Sequence, residues 1–167
     1  MTFRIEPLGP EHDRGAFCCG NEIIDRFCTE QALRDHARGK VRVFVACPAE
    51  TIRVVGFYSL VVSTLEPAVF PGFGKRRIPA LYLAMVGVHE EWRTAIRGTG
   101  TALMVHAFER TLEIADRAGL YCLCLDAADQ RTAGFYEGIQ FKRITDGKLG
   151  MYIAIPTIRD ALSDEAA

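Results

Sequence analysis

The sequence predicts an α/β fold in which helices pack on a mixed, strongly twisted sheet, and three observations predict it. Strand-like and helix-like segments alternate through all 167 residues, with no repeat, low-complexity tract or linker between them. Residues 81–88 form a nearly continuous apolar run, as a central strand buried on both faces requires. Behind that run, residues 98–118 carry Leu103, Val105, Ala107, Phe108, Leu112 and Ala115 at helical spacing, and residues 120–127 return as a second apolar strand. A strand, a helical crossover and a neighbouring parallel strand follow from that order. The length suits one domain over residues 1–167, because two cores would leave each half marginal.

The remaining elements follow in chain order. Phe3–Pro7 suits a short opening strand. Asn21 is placed to cap a helix, with Ile23, Ile24, Phe27 and Leu33 recurring at helical spacing behind it and an end near Gly39. Residues 42–46 and 54–64 are rich in β-branched and aromatic side chains, with turn formers between them, and read as a hairpin. Residues 66–79 hold Pro67, Pro71, Pro79, Gly72 and Gly74 and read as a loop. Residues 90–96 are a polar connection, Gly119 ends the long helix, and residues 132–137 form a short one. Residues 141–145 and 151–155 suit a closing hairpin turning at Asp146 and Gly147, and the last dozen residues are expected to fray.

Composition narrows the function classes. A net charge of −1 gives no overall field to attract a polyanion, so a nucleic-acid partner would need a local basic patch. Two basic runs offer one: Lys75, Arg76 and Arg77, and Arg34, Arg38, Lys40 and Arg42. Solvated faces explain such runs equally simply. The opening residues lack the basic-then-apolar pattern of a signal peptide, and no apolar run reaches membrane-spanning length. A soluble, cytoplasmic protein with no membrane partner is the expectation. The six cysteines include no C-x-x-C pair, so neither a zinc site nor a disulfide framework is read and no metal is expected. Buried, reduced thiols acting as small hydrophobes are expected instead.

The feature that carries chemistry is Arg97-Gly98-Thr99-Gly100-Thr101-Ala102, at the junction of central strand and long helix. Glycines let backbone approach an anion closely, the first helical amides lack internal partners, and the helix dipole adds partial positive charge. Together these make a phosphate cradle, and Arg97 adds a planar cation to grip the oxygens. The spacing is neither a P-loop nor a Rossmann fingerprint. Asp129 suits the N-cap of the helix after it.

Arg97-x-x-Gly100-x-Ala102 resembles the R/Q-x-x-G-x-G/A signature of the GNAT acetyltransferases. Ala133-Gly134-Phe135-Tyr136-Glu137-Gly138-Ile139-Gln140-Phe141 is similar to that family's A-x-x-FYE-x-x-GF element, with Gln140 where the family usually has glycine. A narrower resemblance joins residues 17–27, with Cys19-Gly20 and Ile24-Asp25 in F-x-CG-x-x-x-LD-x-F/W, and Val55-Gly56-Phe57-Tyr58-Ser59-Leu60 to the GNAT toxins of toxin–antitoxin modules. The central strand departs from theirs in reading Ala84-Met85-Val86-Gly87-Val88 without an arginine, and the connection from Val88 to Arg97 is longer.

The resemblance implies a GNAT fold with a splayed central strand and direct acetyl transfer from acetyl-CoA to a primary amine. Residues 97–102 would hold the pyrophosphate, and the backbone near Val86 and Val88 the thioester. Asp129 stands where many members have an asparagine on the pantetheine arm, and Tyr136 where they have the general acid that protonates the leaving thiolate. Phe135 is expected in the core. The base is open among His89, Glu90, Glu91 and Glu66, and Trp92 and Arg93 either shape or pack the acceptor side. Asp25 and Arg26 suit a surface ion pair. The toxins acetylate the α-amine of aminoacyl-tRNA, are held by a ribbon-helix-helix antitoxin, and are dimers, so aminoacyl-tRNA, an antitoxin and a homodimer are the implied partners. A small-molecule or protein amine as acceptor, and a non-catalytic acetyl-CoA-binding module, are the alternatives.

Overall fold

A computed structural model describes residues 2–70, 72–94, 98–145 and 147–166. Seven strands form a mixed sheet in the order β1-β2-β3-β4-β5-β7-β6. They are β1 (Phe3–Pro7), β2 (Arg42–Pro48), β3 (Gly56–Leu65), β4 (Ile78–Val88), β5 (Cys122–Asp126), β6 (Lys142–Arg143) and β7 (Gly150–Ala154). The helices are α1 (Glu22–Arg26), α2 (Ala32–Ala37), α3 (Thr99–Ala115), α4 (Gln130–Gly138) and α5 (Ile155–Ala166). The chain divides into two compact units, Met1–Val61 with Ala84–Ala107, and Val62–Leu83 with Phe108–Ala167. β3, β4 and α3 each run from one unit into the other.

In the first unit β1, β2 and β3 are successive antiparallel neighbours, with Ile5 opposite Ala46 and Val45 opposite Phe57. Phe17, Phe27 and Phe57 pack with Val43, Val45, Cys28 and Cys47 into one core. Two glycines exist for that packing. A Cβ on Gly87 would stand 2.9–3.1 Å from Ile24, Phe57 and Phe17, and one on Gly56 2.9 Å from Leu103 and 3.1 Å from Thr99. Close approach of helix and strand therefore makes a side chain at either position displace its neighbours.

The first helix begins as expected, with Asn21 Oδ1 accepting from the amides of Ile23 and Ile24. It then widens into a π-helical turn at Phe27–Gln31 before resuming as α2. The widened turn displaces carbonyls from the α ladder, and Arg14 Nη1 donates to two of them, Cys28 O at 2.7 Å and Thr29 O at 3.2 Å. Periodicity does not register this turn, because the apolar face continues through it.

In the second unit β4 and β5 pair in parallel, with Ala80 opposite Cys122, and β7 lies antiparallel between β5 and β6. β4 opens at Ile78, inside the segment expected to be loop. Pro79 is tolerated near a strand start, where its carbonyl accepts from Tyr121 N at 2.9 Å. The largest departure from expectation is at the C-terminus. Its residues form α5 rather than a frayed tail, because Ile158 is fully buried and Arg159 pairs with Asp116 at 2.5 Å. Asp146, of the expected closing turn, lies outside the described residues, and Gly147 adopts φ 78°.

Candidate active site

Residues 86–102, all in the first unit, carry most of the expected acetyl-CoA site. Val86 and Val88 are half-buried near the end of β4, on either side of Gly87. His89 follows, its amide donating to Val55 O at 2.9 Å. The chain then re-enters at Gly98 with φ 65° and begins α3 at Thr99. Ala102 N donates to Gly98 O at 2.9 Å, so the amides of Thr99, Gly100 and Thr101 precede the first intrahelical donor. Among the described residues nothing lies within 4 Å of where a Cβ on Gly98 or Gly100 would stand. The Thr99 side chain turns inward against Gly56, fully buried, with Oγ1 lacking a partner among the described residues. Backbone donors at the positive end of a 17-residue helix are an arrangement that suits an anion. Arg97 lies outside the described residues.

Tyr136 and Asp129 belong to the second unit. Asp129 is the N-cap of α4, accepting from Thr132 N at 2.7 Å, and that bond holds its carboxyl below the usual aspartate range. Ala133 and Tyr136, three residues apart, form the buried face of α4. Phe135 is one position off that face and 50% exposed, so the expectation that it joins the core is overturned. Burial pushes the Tyr136 phenol up to about 12. Its ring meets Phe141 edge-on at 5.4 Å, and no described residue hydrogen-bonds the hydroxyl. A phenol in that state is protonated at neutral pH, the form from which a general acid starts.

The candidate bases are engaged elsewhere. His89 Nδ1 accepts from Glu91 N at 3.2 Å, which leaves Nε2 to carry the proton it directs at Ala16 O, also at 3.2 Å. Glu91 pairs with Arg53 and Glu90 with Arg93, at 3.3 and 4.0 Å, and Glu66 is bound by Arg77. Trp92 packs edge-on against Phe3 at 5.8 Å, and Arg93 donates to Cys19 O. With Glu90 N donating to Cys18 O at 2.9 Å, these bonds staple the long connection after β4 to the segment that precedes α1. Asp25 does not pair with Arg26. Its Oδ1 accepts from Cys19 N at 2.7 Å, which explains an aspartate at that position of the opening motif.

Five of the six cysteines are buried, as expected of inert thiols, and Cys18 is exposed. Burial pushes Cys28 and Cys122 up to about 12 and Cys19, Cys47 and Cys124 up to about 11, far from thiolate chemistry. Among the described residues no group of three or more His, Cys, Asp or Glu is placed to hold a metal, and no helix is long and apolar enough to cross a membrane.

No family model matches the chain. A protein of Sinorhizobium fredii described as probable toxin TacT is 30% identical over 95% of this chain and 94% of its own length. A Mycobacterium tuberculosis protein described as a tRNA-acetylating toxin is 28% identical over 91% of this chain and 92% of its own. Among solved structures, a KacT variant superposes with a TM-score of 0.89 at 19% identity, covering 96% of this chain and 99% of that one. AtaT complexed with acetyl-methionyl-tRNA superposes at 0.86 with 21% identity, covering 96% and 99%.

Proposed function

Because this chain belongs to the GNAT toxins of toxin–antitoxin modules, we propose that it transfers acetyl from acetyl-CoA to the α-amine of an aminoacyl-tRNA. One observation carries the chemistry: the open, glycine-lined start of α3, one connection after β4. The M. tuberculosis relative, which matches along nearly its whole length, is described as tRNA-acetylating, and the AtaT neighbour is complexed with acetyl-methionyl-tRNA; both support this acceptor.

In this reading the protein acts as a single domain over residues 1–167. Arg97 and the amides of Gly98, Thr99, Gly100, Thr101 and Ala102 hold the pyrophosphate, and Asp129 borders the pantetheine arm. Backbone near Val86 and Val88 holds the thioester carbonyl where charge develops. The amine nitrogen attacks that carbonyl carbon, the carbon–sulfur bond breaks, and Tyr136 gives its proton to the departing thiolate. The acceptor ammonium first sheds a proton to water, which frees the lone pair that attacks, and the acylated nitrogen sheds a second one to solvent, from which Tyr136 is reprotonated; His89, Glu90, Glu91 and Glu66 each have another partner. The protein works in the cytoplasm as a homodimer, restrained by a ribbon-helix-helix antitoxin.

The test is release of free thiol from acetyl-CoA with bulk aminoacyl-tRNA as acceptor, wild type beside Tyr136→Phe. The expected result is tRNA-dependent release that falls by about 10²–10⁴ in the variant. Acetyl-CoA binding without tRNA-dependent release overturns the acceptor and redirects the search to small amines and protein N-termini.

A further inference from the structure

In the second unit one face of β4, β5 and β7 carries a cluster of aromatic side chains. Tyr121 and Tyr152, both half-buried, pack with Tyr82 and Leu65 against Ala80, Cys122 and Cys124. Among the described residues, the rings that cover this cluster come from the loop after β3. Phe70 is buried edge-on to Tyr152 at 4.6 Å and to Tyr121 at 5.4 Å. Phe73 stands edge-on to Tyr121 at 4.6 Å and remains 41% exposed.

Exposed cations belong to the loop that covers this face and to β6 at the edge of the sheet. The loop is pinned at Phe73 on one side, and at Arg77 on the other, which donates to Thr64 at 2.7 Å and binds Glu66. Lys75 and Arg76 lie between those pins, exposed, and neither pairs with a carboxylate among the described residues. Lys142 is exposed and directly opposite Tyr152 across the β6–β7 pair, which puts both on one face. The carboxylates nearby are taken: Tyr82 donates to Asp126 at 2.9 Å, and Glu66 is held by Arg77.

An exposed ring, Phe73, over half-buried tyrosines, with cations that have no carboxylate partner among the described residues, suits a polyanion that also presents flat π faces, which is unpaired RNA. A duplex would need cations without rings. We propose that Phe73, Tyr121 and Tyr152, with Lys75, Arg76 and Lys142, form a stacking platform for the unpaired 3′ end of the tRNA acceptor arm. The identity of the RNA rests on the function proposed above; the platform itself rests on the side chains. It also meets the need for a local basic patch in a chain of net charge −1, by concentrating free cations at one place.

The experiment measures binding of a fluorescein-labelled single-stranded RNA ending in CCA to the full chain by anisotropy, across a salt series. The samples are wild type, Phe73→Leu and the double variant Lys75→Ala/Arg76→Ala. KM for aminoacyl-tRNA, acetyl-CoA affinity and sedimentation velocity are read alongside. Phe73→Leu is expected to weaken RNA binding by about tenfold or more and to raise KM for aminoacyl-tRNA. The double variant is expected to flatten the salt slope by about 0.7 for each phosphate it no longer neutralises. Acetyl-CoA affinity in the same samples reports folding.

Wild type that acetylates tRNA with all variants matching it in RNA affinity and KM overturns the platform and leaves the proposed function standing. Wild type that binds the oligonucleotide in a Phe73-dependent way without acetylating tRNA supports the platform and overturns the acceptor. Variants that turn a dimer into a monomer at unchanged RNA affinity overturn the platform in favour of a second copy of the chain on this face.

Discussion

The amide of Phe141 donates to the carbonyl of Tyr136 across 3.0 Å, and the turn that closes this bond passes through Gln140 at φ 78°. The bond ties the end of α4 to the segment leading into β6, and Phe141 then packs on both Tyr136 and Phe108. Gln140 is the one non-glycine residue with positive φ among those described. The glycine usual at this point of the GNAT element thus has a physical reason, since a left-handed residue ends the helix that carries Tyr136.

Gln140→Gly is expected to stabilise the protein slightly. Relief of a left-handed side chain is worth about 1–2 kcal/mol, against about 0.4–1 kcal/mol of added unfolded-chain entropy. Chemical denaturation checks the sign: the midpoint should rise, and a fall would mean that Gln140 carries no strain.

Gly87→Ala is expected to cost about 1–3 kcal/mol, because the added methyl meets Ile24, Phe57 and Phe17 in a filled core. Thermal unfolding should show a lower Tm, with Gly100→Ala, where the space is open, far less affected.

Alkylation of the native protein should label Cys18 alone. The other thiols are buried and held well above neutrality, so intact mass after iodoacetamide should show one adduct, rising to six on unfolding.

The turnover–pH profile should show no descending limb from Tyr136 below its ordinary value of 10.0, because burial moves the phenol up to about 12. The linkage sign agrees. A folded pKa above the unfolded one contributes stability that is present below 10.0 and is lost as pH rises through about 12. Tyr136→Phe should therefore flatten part of the alkaline unfolding curve, which pH-jump unfolding measures.

The order of elements and the Asn21 cap are legible in the sequence because periodicity and capping are local properties of the chain. So is the glycine-rich helix start. The engagement of His89 is not, since the carbonyl that Nε2 donates to, Ala16 O, lies 73 residues away. Nor is the role of Arg14, which exists only once the helix widens at Phe27–Gln31. Phe135 and Tyr136 show the limit most clearly. Adjacent aromatics look alike in sequence, and helical phase, set by the Asp129 cap, buries one and exposes the other.

The C-terminal helix is legible in part. Ile155, Ile158, Ala161 and Leu162 recur at helical spacing, which the expectation of a frayed tail passes over, and folding adds the site that buries Ile158 and the carboxylate that meets Arg159. Strand–helix alternation, the glycines at the start of α3 and the family are written in spacing along the chain, so residue order suffices to find them. Which carboxylates and imidazoles are engaged, which aromatic faces solvent, and which cations stay free beside Phe73 depend on partners that only folding brings near.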